Sequence, residues 1–278
     1  MQGTRCQIFH DTDFVFVMSS FPGSDMSVRL QACCLRLETW LYGSYAWLLF
    51  ILTFLTAGSL IGVLQLPRAG RRIAHAASRM MYFLGGVSLV AEGLDRLPDR
   101  QHILLVNHSS FVDGIALSAL LPPTPGYSFV VRQEYDSQVL FYPLLKGLNT
   151  LILERHASHG DAHLNRDKLI AALQEGRQLL IFPEGAFRPE PGLLPFHSGA
   201  FIASARVGVP ITLAVLRGAR EELRPGTWLP HRTSLHLTIG PTLLPDTSNV
   251  NSPQILQQQA YQLMQEIMQE MQKDRQES

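Results

Sequence analysis

The sequence predicts an α/β fold, a mixed and mostly buried sheet flanked by helices, behind an N-terminal membrane helix or hairpin. Three observations predict it. Short runs rich in Leu, Ile and Val recur across the second half of the chain and part of the first. Helical patterns separate several of these runs. A long uncharged apolar stretch, residues 45–66, precedes them all.

Residues 1–30 mix polar and small residues with one short apolar run, and we read them as a poorly ordered segment. Met18 and Met26 are alternative starts, and a signal peptide is a weaker reading because the run is short with no clear cleavage site. Residues 31–69 read as the membrane-anchoring segment. About 20 apolar residues suffice for a helix to span a bilayer, and 45–66 carries no charge. Trp40, Tyr42, Tyr45 and Trp47 cluster at its start, as interfacial aromatics do, and Arg68, Arg71 and Arg72 follow its end. By the positive-inside rule that end, and the chain beyond it, faces the cytoplasm. A buried core helix is the competing reading. A third is a hairpin with residues 28–41 that dips into one leaflet, for which Gly58 and Gly62 would allow a kink or close packing.

Residues 70–278 read as one α/β domain with a C-terminal helix. Strands are expected over 87–91, 103–107, 127–132, 150–154, 178–182, 211–216 and 234–239. Helices are expected over 72–83, 111–121, 139–146, 162–175 and 200–207, with Gly147, Gly176 and Gly208 as stops. Strands alternating with helices argue for an α/β layer structure. In the tail, 253–272, Leu256, Ala260, Leu263, Ile267 and Met271 fall on one face, which fits a helix packed on the body.

Lys plus Arg and Asp plus Glu number 23 each, so no basic excess points to nucleic acid. The three cysteines, Cys6, Cys33 and Cys34, have no CxxC spacing, so neither a disulfide framework nor a zinc site is expected. His156, His159 and His163 have metal-ligand spacing, but Gly160 interrupts their helix, and no metal is expected.

Two segments carry chemistry. The first is Asn107-His108-Ser109-Ser110-Phe111-Val112-Asp113, directly after an apolar strand. Active sites of α/β sheets lie at such strand ends. Residues five apart on a continuous helix point about 140° apart, so His108 and Asp113 meet only if the chain turns between them. Ser109 or Ser110 could cap a helix starting near Phe111. Asp113 would then fix the imidazole tautomer and leave the other nitrogen as a base. The bland alternative is a helix-capping histidine and a solvated aspartate. The second segment is Phe182-Pro183-Glu184-Gly185-Ala186-Phe187-Arg188, again after a strand. Gly185 permits a sharp turn whose N–H groups could hold an anion. Arg155 and Arg188 are candidates for a phosphate.

Together these segments resemble the lysophosphatidate and glycerol-3-phosphate acyltransferase superfamily. The family's histidine and aspartate, four residues between them, correspond to His108 and Asp113, and its Pro-Glu-Gly turn to Pro183-Glu184-Gly185. Residues 147–155 look like its second block and 209–215 like its fourth, so the similarity runs over roughly 70–245. The third block departs: Ala186 replaces threonine, Phe187 stands where arginine is usual, and Arg188 follows one position late. In the fourth block Leu213 replaces a second proline.

The resemblance implies a membrane enzyme of the inner (cytoplasmic) membrane, its catalytic domain on the cytoplasmic side. It would move an acyl group from acyl-CoA or acyl carrier protein to the free hydroxyl of a lysophospholipid, lysophosphatidate first. It implies no cofactor, with lipids as partners. His108, Asp113 and Glu184 would be catalytic, Glu184 by positioning the acceptor. Asn107, Arg155, Gly185 and Arg188 would bind substrate, and N–H groups near Gly185 would hold the oxyanion. Another lysolipid, such as an amino-lipid precursor, is an alternative acceptor. A catalytically inactive lipid-binding protein is the rival from another class, favoured by the Ala186-Phe187 loop. A hydrolase would need an activated serine, and no GxSxG elbow exists.

Overall fold

The computed structural model describes residues 26–132, 138–154, 159–188, 190–224 and 226–277. The N-terminal segment expected over 1–30 falls almost wholly outside the described residues, and Arg155 and His156 fall outside them as well.

Seven strands form one mixed sheet: β1 (Ser88–Glu92), β2 (Ile103–Val106), β3 (Ser128–Arg132), β4 (Leu151–Leu153), β5 (Leu179–Ile181), β6 (Ile211–Arg217) and β7 (Ser234–Leu243). Their order across the sheet is β1-β7-β6-β2-β5-β3-β4. Strands β6, β2, β5, β3 and β4 run parallel, whereas β7 runs antiparallel to β6 and carries β1 parallel to itself.

Alternate residues of each central strand serve opposite faces, because successive side chains point to opposite sides of a sheet. Ile103, Leu105, Leu179, Ile211 and Leu213 face one layer. That layer is α6 (His159–Gln174), α7 (Gly199–Val207) and α9 (Ser252–Glu277). Leu104, Val106, Leu180, Ala214 and Leu216 face α3 (Pro67–Gly85) and α4 (Asp113–Leu120). The tail helix seats Leu256, Ala260 and Met264 fully in the first layer, with Leu263, Ile267 and Met271 partly buried beside them.

The chain leaves β2 through α4 towards β3, on one face. It leaves β5 through α7 towards β6, on the other. The neighbouring strands β2 and β5 therefore diverge at their C-terminal ends, which opens a crevice there. Ligands of open α/β sheets bind at such a switch point.

The N-terminal helices differ from expectation. Residues 28–41 are not a separate arm: α1 (Met26–Thr53) runs unbroken into a π-helical turn (Phe54–Gly58) and α2 (Ser59–Leu64). Among the described residues, one helical stretch, Arg36–Leu64, is long and apolar enough to cross a membrane. Its hairpin partner is the following helix, α3, reached through Gln65 in the left-handed region at φ 50°. The hairpin is held together at its base and tied to the domain at its tip. Tyr42 Oη donates to the Gly85 carbonyl at 3.2 Å, and Gln65 Nε2 donates to the Pro143 carbonyl of α5 (Gln138–Gly147) at 2.9 Å.

Gly147 does not stop its helix by a left-handed turn, as Gly176 and Gly208 do at φ 80° and 75°. Asn149 takes that conformation instead, at φ 58°. Gly147 is needed for approach: a β-carbon there would collide with the Ile61 carbonyl, and one at Gly70 would stand 2.6 Å from the Gly147 carbonyl.

Candidate active site

His108 leaves β2 at the crevice, and α4 begins five residues later with Asp113 as its first residue. The turn between them brings the two side chains together. His108 Nδ1 lies 2.8 Å from Asp113 Oδ2. The same oxygen accepts the backbone N–H groups of Ser109 at 2.7 Å and Ser110 at 3.0 Å. The local cap is thus reversed from the expected one. The N-cap is Val112 and makes no side-chain cap bond; Ser110 Oγ accepts the Val112 N–H at 3.4 Å, and the aspartate reaches back and satisfies the serine amides. Asp113 is fully buried, while the His108 side chain keeps 19% of its surface exposed. With Nδ1 on the carboxylate, Nε2 is the nitrogen left for other partners.

Two phenylalanines fix the imidazole plane. Phe182 stacks on it at 4.3 Å, with 19° between the planes, and Phe187 meets it edge-on at 4.6 Å. Phe187 also meets Phe111 at 4.7 Å. The residue that stands in place of the family arginine therefore builds the wall of the histidine pocket.

Glu184, at the end of β5, crosses the crevice beneath His108. Its Oε1 accepts the His108 backbone N–H at 2.8 Å and its Oε2 accepts the Leu194 N–H at 2.7 Å. The carboxyl is 4% exposed. Burial raises its pKa above the ordinary value, and these two N–H groups oppose that rise. Gly185 takes φ 65°, and its N–H donates to the Phe182 carbonyl at 3.0 Å, so this N–H is already engaged within the turn. A β-carbon at Gly185 would stand 2.7 Å from the Arg132 guanidinium and 2.9 Å from the His197 ring.

Asn107, expected among the substrate-binding residues, is turned away from the crevice. Its Nδ2 donates to the Leu216 carbonyl at 3.0 Å and its Oδ1 accepts the Leu216 N–H at 2.7 Å. It fastens the end of β2 to β6. Arg188 is exposed on the outer loop, where its guanidinium lies 3.9 Å from the place of a β-carbon at Gly192. Arg155 falls outside the described residues.

Arg132 and His197 are site residues that the sequence reading missed. Arg132 ends β3 and lies 3.1 Å from His197 Nε2. Burial and this neighbouring cation hold the His197 pKa below its usual value. The signal was available in form: Arg132 closes an apolar strand, as His108 and Glu184 follow theirs.

The serines are not poised as nucleophiles. Ser109 Oγ points to Asp113 Oδ1 at 3.4 Å, and Ser110 Oγ donates to the Leu223 carbonyl at 2.8 Å. Among the described residues no group of three or more His, Cys, Asp or Glu side chains is arranged to hold a metal.

Known proteins resemble this chain in sequence and fold. Residues 88–216 match the family model described as Acyltransferase. A 1-acyl-sn-glycerol-3-phosphate acyltransferase of Limnanthes alba is 27% identical over 188 residues, 64% of each chain. A lyso-ornithine lipid O-acyltransferase of Pseudomonas aeruginosa is 32% identical over 124 residues, 45% of this chain and 46% of that one. The chain thus spans 64% of the length of the first relative and under half of the second. The crystal structure of the 1-acyl-sn-glycerophosphate (LPA) acyltransferase PlsC from Thermotoga maritima superposes with a TM-score of 0.70 at 16% identity, covering 85% of this chain and 97% of that one. The matched segment 88–216 runs from β1 to β6 and so contains both the His108–Asp113 turn and the Glu184 turn. Through that segment the chain is similar to acyltransferases of the lysophosphatidate type.

Proposed function

We propose that this protein transfers an acyl group from acyl-CoA or acyl carrier protein to the free hydroxyl of a lysophospholipid, lysophosphatidate first, at the crevice between β2 and β5. The observation that carries the proposal is the 2.8 Å contact of His108 Nδ1 with a buried Asp113 carboxylate, which leaves Nε2 for the acceptor.

The acceptor O–H gives its proton to His108 Nε2 as the oxygen attacks the thioester carbonyl. The tetrahedral intermediate collapses with cleavage of the C–S bond, and the imidazolium returns the proton to the departing thiolate. Asp113 stabilises the imidazolium while it lasts. General-base assistance of this kind is worth ~10²–10⁴ in rate. Because the Gly185 N–H is engaged, the N–H groups of Ala186 and Phe187 are the better oxyanion donors. Glu184 is a positioning residue here: both its oxygens hold backbone N–H groups, one of them that of His108. Arg132, together with Arg155, is assigned to the acceptor's phosphate, and Arg188 to the outer rim.

Phe187 supports a second reading of the acceptor. An apolar wall in place of a family arginine suits a headgroup with less negative charge near His108, and a relative named for lyso-ornithine lipid makes that class concrete.

The site is assigned to the cytoplasmic face of the inner membrane, beside the N-terminal hairpin. Gly43 and Ile61 both contact the domain. They lie eighteen positions apart along the helix, about 27 Å at 1.5 Å per residue, close to the ~30 Å of a hydrocarbon core. A helix held to a polar domain at both ends of that length favours embedding in one leaflet over crossing both.

The test is a panel of lysolipid acceptors with one radiolabelled acyl thioester and the full chain in membranes. Acylation of lysophosphatidate supports the first reading. Acylation only of acceptors without phosphate moves the assignment to the second, and no acceptor-dependent turnover with any of them sinks the enzyme reading.

A further inference from the structure

We propose that the loop between α8 (Ala219–Glu222) and β7 is a second membrane contact, with Trp228 at the lipid interface, which couples the membrane surface to the catalytic turn. The inference rests on the reading of the N-terminal hairpin as membrane-embedded.

The loop has a fixed base and a hydrophobic tip. Its base is closed by the His231 N–H, which donates to the Glu222 carbonyl at 2.7 Å. At the same place Ser110 Oγ donates to the Leu223 carbonyl at 2.8 Å. Ser110 is also one of the two residues whose N–H groups hold Asp113. The base of the loop and the His108–Asp113 turn are therefore one hydrogen-bonded unit.

The tip leans on α1. The Trp228 ring meets Trp40 at 5.3 Å, with 70° between the planes. The Trp47 indole N–H donates to the Trp228 carbonyl at 2.6 Å. Leu229 occupies the notch that Gly43 leaves, where any β-carbon would collide with it. Arg232 lies 5.7 Å from the ring centre of Tyr42. Contacts of this kind fix the depth of Trp228: whatever level Trp40 and Trp47 take, Trp228 shares it.

The occupant of this surface follows from continuity. Trp228 is 62% exposed, although tryptophan is a large residue that folding ordinarily covers well. Leu41, Tyr45 and Leu48 of α1 are also exposed, and all three lie within the helical stretch Arg36–Leu64. Phe83 and Leu84 of α3 are exposed as well, and Leu84 is joined to α1 through the Tyr45 Oη bond to its carbonyl. Tryptophan prefers the membrane–water interface, and arginine beside it suits anionic headgroups; Arg224 and Arg232 flank the tip. The partner that fits is a bilayer surface containing anionic lipid.

The consequence for the reaction is mechanical. Only four residues lie between Leu223, which holds Ser110, and Trp228. Seating the tip in the interface anchors the catalytic turn at the depth where a lysolipid hydroxyl lies.

The chain has three tryptophans, Trp40, Trp47 and Trp228, so single-tryptophan variants read the proposal directly. The full chain is reconstituted into vesicles of phosphatidylcholine and phosphatidylglycerol with brominated acyl chains. One variant carries W40F and W47F, the other W40F and W228F. The expected result is that the variant retaining Trp228 loses as large a fraction of its emission as the variant retaining Trp47. Quenching of Trp47 without Trp228 overturns the proposal and leaves the hairpin reading intact. Quenching of neither removes both. Because W47F deletes the bond to the Trp228 carbonyl, amide hydrogen exchange of the unsubstituted chain gives an independent readout. Residues 226–232 are expected to slow on addition of vesicles. Unchanged exchange there, or slowing that follows protein concentration without lipid, assigns the surface to solvent or to a second copy and overturns the proposal.

Discussion

The carboxylate of Glu184 holds His108 by its backbone: Oε1 accepts the histidine N–H at 2.8 Å, and Oε2 accepts the Leu194 N–H at 2.7 Å. The end of β5 thus fixes the residue that leaves β2. Glu184→Ala orphans both donors, which costs about 1–3 kcal/mol each when a polar group is left buried and unpaired. The variant is expected to unfold at lower urea concentration and to lose kcat more than acceptor affinity. Glu184→Gln keeps one acceptor oxygen and should fall between the two. Steady-state kinetics beside urea unfolding checks this, and an acceptor KM effect with kcat unchanged would return Glu184 to substrate contact.

Asn107 belongs to the scaffold by the same reasoning. Its amide pairs with both the N–H and the carbonyl of Leu216. Asn107→Ala should lower stability by about 1–3 kcal/mol, and Asn107→Asp, which accepts but cannot donate, should lose part of that. Equilibrium unfolding measures both. A variant of full stability with a raised acceptor KM would contradict the assignment.

The phenylalanine at 187 and the arginine at 132 divide the pocket between ring contacts and charge. Phe187→Ala removes edge contacts with His108 and Phe111, each pair worth about 0.5–1.5 kcal/mol. It should lower kcat several-fold on every acceptor alike. Arg132→Ala should raise KM for a phosphate-bearing lysolipid by tenfold or more, at about 1.4 kcal/mol per tenfold, and do far less with an acceptor lacking phosphate. Arg188→Ala, on the exposed rim, should have the smaller effect. The three variants assayed on two acceptors separate these roles.

Stability should depend on pH through Glu222. Burial raises its pKa to about 8, with Asp113 adding to the rise; the Tyr82 hydroxyl at 3.4 Å opposes it. The folded state therefore holds this proton more tightly than the unfolded state does. Stability is expected to fall as pH rises from about 4.5 to about 8, where the unfolded carboxyl is ionised and the folded one is not. Glu222→Gln should flatten that slope, so that its advantage over the unsubstituted chain grows towards pH 8. Urea midpoints measured across this range decide it, and parallel profiles for the two proteins would exclude Glu222 as the source.

All seven strands were legible in the sequence because each carries a short run of Leu, Ile or Val, densest in β2, β5 and β6, which are covered on both faces. The His108–Asp113 pair was legible because five-residue spacing forces a turn. What stayed hidden depends on partners distant in the chain. Nothing local in Asn107 marks Leu216 as its mate. Gly147 reads as a helix stop and serves instead as the seat of Ile61. Arg132 ends a strand like other surface arginines until the fold sets it beside His197 and over Gly185. The hairpin partner of α1 was misplaced because 28–41 and 67–85 are both helical, and only packing chooses between them.

The most direct measurement compares the unsubstituted chain with His108→Ala and Asp113→Asn in single-turnover acyl transfer to a lysolipid, with acceptor binding followed in parallel. Loss of the transfer rate by about 10²–10⁴ in His108→Ala, with a substantial loss in Asp113→Asn and acceptor affinity preserved in both, is the predicted result. Transfer at an undiminished rate without the imidazole would contradict it.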